Sequence, residues 1–167
     1  VVLDGAGGSG PRVSCVTVGK VNDKGIQDAN NMGAAMAPAA YDTLKAHFSD
    51  TGRSPDYYDL IVTGDLGHLG HRIVTDLFAR DGVKLDNYTD CGLILFRRKE
   101  QDVHCGASGC GCSAAVLTAY LLPGLERGLW RRVLFCPTGA LLSPTSTLQG
   151  ESIPGICHAV VLEGGNT

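Results

Sequence analysis

One imidazole and three thiols lie within nine residues of each other, in His104-Cys105-Gly106-Ala107-Ser108-Gly109-Cys110-Gly111-Cys112. The run is glycine-rich and opens directly into an apolar segment, Ala114–Leu122, broken only by Thr118 and Tyr120. A helix that is apolar all round is expected to be buried between other layers. The backbone N–H groups at its start, Ser108 to Gly111, would then face an enclosed place, where a helix N-terminus favours an anion. His104 is read there as a general base or as a hydrogen-bond donor to a carboxylate or carbonyl; a histidine that only satisfies loop backbone is the competing reading. Cys110 or Cys112 as a helix-activated nucleophile is weighed against small buried thiols, which are the default. The spacing C-x4-C-x-C with one adjacent His is poor for zinc, and no second cluster accompanies it.

A second candidate is the glycine-spaced loop Gly64-Asp65-Leu66-Gly67-His68-Leu69-Gly70. It follows an apolar run at Tyr58–Thr63, and loops at the C-terminal ends of strands gather ligand residues in layered α/β folds. Asp65 and His68 are expected to flank this loop and orient a ligand, against the alternative of a solvated turn. Cys136 ends another apolar run, where a thiol can be catalytic, but core packing is the favoured reading. The long polar segment from Ser143 to Pro154, with Ser143 and Thr145 among its hydroxyls, is a candidate pocket wall.

The elements that must position these residues follow from periodicity. Val1–Asp4 reads as a strand end, Val13–Val18 as a period-two strand, and Asp28 or Asn30 as the cap of a helix running to about Phe48. Met32, Met36, Ala39, Ala40, Thr43, Leu44 and His47 form its apolar stripe, and Pro38 is expected to bend it. A strand at Tyr58–Thr63, a helix from about His71 to Arg80 and a strand in Asp90–Arg97 come next. A buried helix to about Arg127, kinked or ended by Pro123, is followed by strands at Arg132–Cys136 and Ile156–Glu163. Alternating strands and helices define an α/β layered fold. Gly5-Ala6-Gly7-Gly8-Ser9-Gly10 formally holds G-x-G-x-x-G, but Pro11 and a strand follow it instead of a helix, so a nucleotide fingerprint is not expected.

Composition bounds the function. The 167 residues are 44% hydrophobic and 19% charged, enough for one domain with a core. A formal net charge of -3 leaves no basic footprint for nucleic acid. No apolar run approaches the roughly 20 residues of a membrane span, and Val1-Val2-Leu3-Asp4 lacks the pattern of a signal peptide. Seven cysteines are read as free thiols of a reducing compartment.

Several stretches resemble one family. Asp28–Thr43, Val62–Leu66 with Gly67, Tyr88–Gly92, Ser108–Ala114, Thr138–Ser146 and Gln149–Ile156 are similar to the second half of the stage V sporulation protein AD family, itself similar to thiolases and ketoacyl synthases. The resemblance implies a thiolase-like layered αβαβα fold, of which this chain is the C-terminal half. It implies a connector over residues 1–12, a half-domain over 13–163, a tail over 164–167 and a missing N-terminal half that would carry any nucleophilic cysteine. His104-Cys105-Gly106-Ala107-Ser108-Gly109 is similar to the thiolase stretch His-Pro-x-Gly-Ala-Ser-Gly, but one residue shorter and without the proline. The implied role is recognition of dipicolinic acid, with or without calcium, for uptake into the developing spore. The implied ligand-binding candidates are His104, Ser108, Gly109, Cys110, Gly111, Asp65, His68, Ser143 and Thr145. No resident cofactor or metal is implied; acyl-coenzyme A belongs to an alternative reading as an acyl-transfer enzyme. Expected partners are other stage V sporulation A proteins at the membrane and a second copy of the chain. The expected location is the cytoplasm or spore, peripheral to the inner spore membrane.

Overall fold

The computed structural model describes residues 1–5, 7–106 and 109–165. Its elements in chain order are β1 (Arg12–Thr17), α1 (Met32–Thr51), β2 (Leu60–Thr63), α2 (Gly67–Arg80), β3 (Tyr88–Asp90), α3 (Cys91–Leu95), α4 (Gly111–Val116), α5 (Leu122–Glu126), β4 (Arg132–Cys136), β5 (Thr138–Ala140), α6 (Pro144–Leu148), β6 (Gly155–Cys157) and β7 (Ala159–Glu163). A π-helical turn, Leu117–Leu121, joins α4 to α5.

Five strands form one sheet in the order β1-β7-β4-β2-β3. The pairs β3–β2 and β2–β4 are parallel, and β7 runs antiparallel to both β4 and β1. Helices cover both faces, as alternation along the strands requires. Ile61, Leu134 and Val161 point to a cluster with Ala37, Leu44, Val74 and Phe78 of α1 and α2. Their neighbours Val62, Val133 and Leu162 point the other way, to Cys91, Cys112, Val116, Leu121 and Leu125. The result is a three-layer α/β/α stack, in agreement with the α/β class read from the sequence.

The stripe read along α1 is buried at Met36, Ala39, Ala40, Thr43, Leu44 and His47, whereas Met32, in the first turn, is only half-buried. The helix starts at Met32 with Asn31 as its cap, whose side chain accepts from the Ala34 N–H. Pro38 lies in its second turn and the helix continues through it. Gly52 closes the other end in the left-handed conformation.

Several sequence expectations are corrected. Val1–Asp4 is exposed chain outside any strand. The segment Cys91–Leu95 is a helix, and the strand before it ends at Asp90. Asp90 has extended backbone and its carboxylate accepts from the Gly92 N–H, so it caps a helix that the apolar run alone did not reveal. The helix expected from His71 begins at Gly67, which takes most of the glycine-spaced loop into its first turn. The polar stretch after Cys136 contains β5 and α6, and the final strand is broken into β6 and β7.

The apolar helix after the glycine-rich run is also corrected. Cys112, Val116, Leu121 and Leu125 are buried, but Ala114, Ala115, Thr118, Ala119 and Tyr120 are exposed. The sheet covers one face of this helix, and nothing among the described residues covers the other. Pro123 neither stops nor isolates it. The π turn immediately before α5 places Pro123 at a helix start, where its missing N–H costs little. Among the described residues no helix is long and apolar enough to cross a membrane. All seven cysteines are free thiols.

Candidate functional site

The parallel strands β2, β3 and β4 end at the same edge of the sheet, and the loops that follow them meet there. The knot of this region is Asp90, fully buried at the end of β3. Its Oδ2 accepts from Thr63 Oγ1 at 2.7 Å and the Leu66 N–H at 3.0 Å. Its Oδ1 accepts from the Gly67 and Gly92 N–H groups, both at 2.9 Å. One carboxylate thus ties the end of β2, the N-terminus of α2 and the N-terminus of α3. Burial pushes its pKa up, opposed by the four hydrogen bonds that favour the charged form.

Two backbone approaches complete the frame. A Cβ at Gly33 would lie 2.2 Å from the Leu66 carbonyl oxygen, so α1 crosses the α2 entry at a distance only glycine allows. A Cβ at Gly92 would lie 2.7 Å from the Gly106 carbonyl oxygen, which seats the glycine-rich loop on the start of α3. That loop is held again by the His68 N–H donating to the Cys105 carbonyl at 2.7 Å, and by Arg98 Nε donating to the His104 carbonyl at 2.8 Å. The consecutive N–H groups of Leu66, Gly67 and His68 are therefore all engaged within the protein.

Between these pieces lies a cavity of about 390 Å³, walled by Asn31, Gly33, Asp65, Leu69, His104 and Gly109 among others. Asp65 is buried at its wall, and its backbone N–H donates to Thr138 Oγ1 at 3.1 Å. His104 has a left-handed backbone (φ 48°), and its side chain is 90% exposed at the cavity rim, with Nε2 3.9 Å from an Asp102 oxygen. Loops separated by some 40 residues thus bring Asp65, His104 and Gly109 together.

The other candidates lie elsewhere. His68 sits in the first turn of α2 with its side chain exposed, engaged through its backbone rather than its ring. Cys110 and Gly111 are exposed at the start of α4, outside the cavity lining. Ser143 caps α6, its hydroxyl accepting from the Ser146 N–H in a capping box, and Thr145 is exposed on that helix. Neither borders the cavity. Ser108 lies outside the described residues. Cys136 is buried and its thiol is pushed well up by burial, which keeps it protonated. Among the described residues no group of three or more His, Cys, Asp or Glu is placed to hold a metal.

Sequence reasoning missed Asp90 and His71 as residues of the site, and saw in Gly33 only a small residue of α1 that permits close packing. The His71 ring stacks on Tyr88 with centroids 4.5 Å apart, and burial lowers its pKa. Asp90 had one legible signal, an Asx residue two before a glycine at the start of the apolar run Cys91–Phe96. The small surface of Gly33, Ala34, Ala35 and Ala37 signals close packing, but not its partner, a backbone atom 33 residues away.

The family model of stage V sporulation protein AD matches residues 1–163. The chain belongs to the stage V sporulation protein AD family. It is 48% identical over 153 residues to stage V sporulation protein AD of Bacillus subtilis (strain 168), a match covering 91% of this chain and 45% of that protein. The chain therefore spans about half the length of the curated relative it matches. Two solved structures are also similar. 3-Oxoacyl-(acyl carrier protein) synthase III from Pseudomonas aeruginosa PAO1 has a TM-score of 0.47 at 14% identity, covering 94% of this chain and 52% of that one. A second 3-oxoacyl-(acyl-carrier-protein) synthase III has a TM-score of 0.45 at 14% identity, covering 95% and 52%.

Proposed function

We propose that this stage V sporulation protein AD family member is part of a thiolase-like ligand carrier, and that the cavity between Asp65, His104 and Gly109 takes dipicolinic acid. The observation that supports this most is the convergence of a buried acid, an accessible imidazole and a glycine-rich loop on one cavity at the carboxyl edge of the sheet. Dipicolinate is a small planar dianion, and a cavity of about 390 Å³ is in the range of small-ligand pockets. The His104 imidazole offers a hydrogen bond to a carboxylate, and the Asn31 amide stands on the same wall.

The acid Asp65 supports the calcium chelate as the form of the ligand. An acid in the wall disfavours a free dianion, whereas the calcium chelate is neutral overall and leaves coordination positions that take carboxylate oxygen. Calcium in this reading is cargo. The exposed face Ala114–Tyr120 is where the companion half of the protein packs, and that half completes the cavity. Carriage of the ligand into the spore, with other stage V sporulation A proteins at the membrane as partners, belongs to the same reading, as does a homodimer of the complete protein.

The test is calorimetric titration of the intact protein with dipicolinate, with and without calcium, in the presence and absence of acetyl-coenzyme A. Saturable binding that is stronger with calcium and not displaced by acetyl-coenzyme A is expected. Absence of dipicolinate binding, with acyl-coenzyme A bound or turned over instead, would replace the carrier by an acyl-transfer enzyme.

A further inference from the structure

A second cleft, of about 550 Å³, opens at the other end of the sheet, where β4 and β1 begin and β7 ends. Arg12, Arg131, Arg132, Trp130 and Glu163 line it. With the adjacent Asp59 counted, three arginines stand against two carboxylates, so the region is net positive by one charge. Arg12 donates through Nε and Nη2 to a single Glu163 oxygen, at 3.1 and 2.7 Å, so that pair is neutral. Arg131 and Arg132 remain. The nearby Asp59 carboxylate is turned to their backbone, accepting from the Arg131 and Arg132 N–H groups at 2.7 and 2.9 Å. No side-chain ion pair is made by Arg131 or Arg132 among the described residues.

Arg132 is held in place rather than waving in solvent. Its guanidinium lies 4.0 Å over the centre of the Tyr57 ring, and its Nε is a buried donor with no hydrogen-bond partner. Protein atoms cover that Nε, so Arg132 would meet a ligand in the cleft through its Nη groups. Stacking fixes the plane of the fork, the arrangement that suits bidentate recognition of oxyanions. Arg131, exposed beside it, supplies a second guanidinium to the same cleft. The chain as a whole is negative, so a net positive concavity is a local reversal of sign.

We propose that this cleft is an anion site for a phosphate-bearing ligand, with Arg131 and Arg132 as its phosphate donors. Two guanidinium groups without ion-pair partners on one cleft match a phosphate better than a single carboxylate. The site lies at the opposite edge of the sheet from the Asp65–His104 cavity and is independent of the dipicolinate reading.

The experiment titrates the intact protein with inorganic pyrophosphate by calorimetry at low and raised salt. Saturable binding that weakens with salt is expected. Arg131→Gln, an exposed change that leaves the Tyr57 stack intact, is expected to weaken it by about tenfold, and Arg131→Gln with Arg132→Gln to abolish it. Arg131→Lys is expected to restore only part, because the fork is lost. His104→Ala should leave pyrophosphate affinity unchanged, which separates this site from the cavity above. Sedimentation with phosphatidic acid vesicles against phosphatidylcholine vesicles then separates the sources. Binding that Arg131→Gln removes identifies a lipid headgroup, and pyrophosphate binding without vesicle binding identifies a soluble phosphate. Cooperatively folded wild-type protein that gives no saturable pyrophosphate binding, or binding indifferent to Arg131→Gln, would overturn the proposal.

Discussion

The two sides of the candidate cavity are built differently. On one side, Asp90 is wholly buried and holds four donors from three elements. On the other, His104 stands 90% exposed on a loop fixed through two carbonyls. The exposed side carries the groups able to meet a ligand, and the buried side sets where they stand. Removing a buried partner leaves several unmet donors, whereas removing an exposed side chain leaves only water. Stability effects should therefore concentrate at Asp90 and binding effects at His104.

Asp90→Asn is the largest test. The amide keeps one acceptor oxygen and presents an NH2 group to two N–H donors, so roughly 2–4 kcal/mol of stability should be lost. Denaturant unfolding measures it, and a loss below 1 kcal/mol would mean that Asp90 is not the knot. Gly33→Ala comes next. Its methyl would stand 2.2 Å from the Leu66 carbonyl oxygen, forcing α1 and α2 apart at the cavity wall. A loss of about 1–3 kcal/mol is expected, with weakened dipicolinate binding in the same protein. Equal affinity despite the lost stability would detach that wall from the site.

A pH series probes the buried side again. His47 and His71 both have lowered pKa values, first through burial. His47 is wedged between Thr17 Oγ1 at 2.7 Å and the Tyr58 hydroxyl at 2.5 Å. The unfolded chain takes up these protons near pH 6.5, before the folded protein does. Stability should therefore be full above that pH and fall as the pH drops through it. His47→Gln should flatten part of the slope in denaturant unfolding at pH 5.5 and 7.5; an unchanged slope would assign it to other groups.

On the exposed side, His104→Asn should keep the fold, since asparagine tolerates the left-handed backbone, while weakening dipicolinate by about tenfold. Unchanged affinity by calorimetry would remove His104 from the site. Cys110→Ser should be the smallest effect, within about 0.5 kcal/mol of wild type and without change in ligand binding. A large loss of binding in folded protein would revive a thiol role.

The difference between the two sides also explains what could be read in advance. His104, Gly109 and Asp65 stood out because their types and glycine-rich settings suggest chemistry, and all three border one cavity. His68 was conspicuous for the same reason, yet its ring is turned to solvent because the helix begins at Gly67, before it. Ser143 and Thr145 looked like pocket hydroxyls, but Ser143 serves as a local helix cap and Thr145 is exposed on α6.

Periodicity alone determined the α/β alternation, the limits of β4 and the apolar stripe of α1, because these follow from which side chains must leave water. Matching stretches along the chain pointed to its family on the same grounds, residue by residue. Only the tertiary structure decided that Cys91–Leu95 coils instead of extending, that the helix after Gly111 buries one face and bares the other, and that Asp90 governs the site. An apolar residue records that it prefers burial, not which surface will cover it. A carboxylate's donors are backbone N–H groups, which every sequence contains and only the fold can aim.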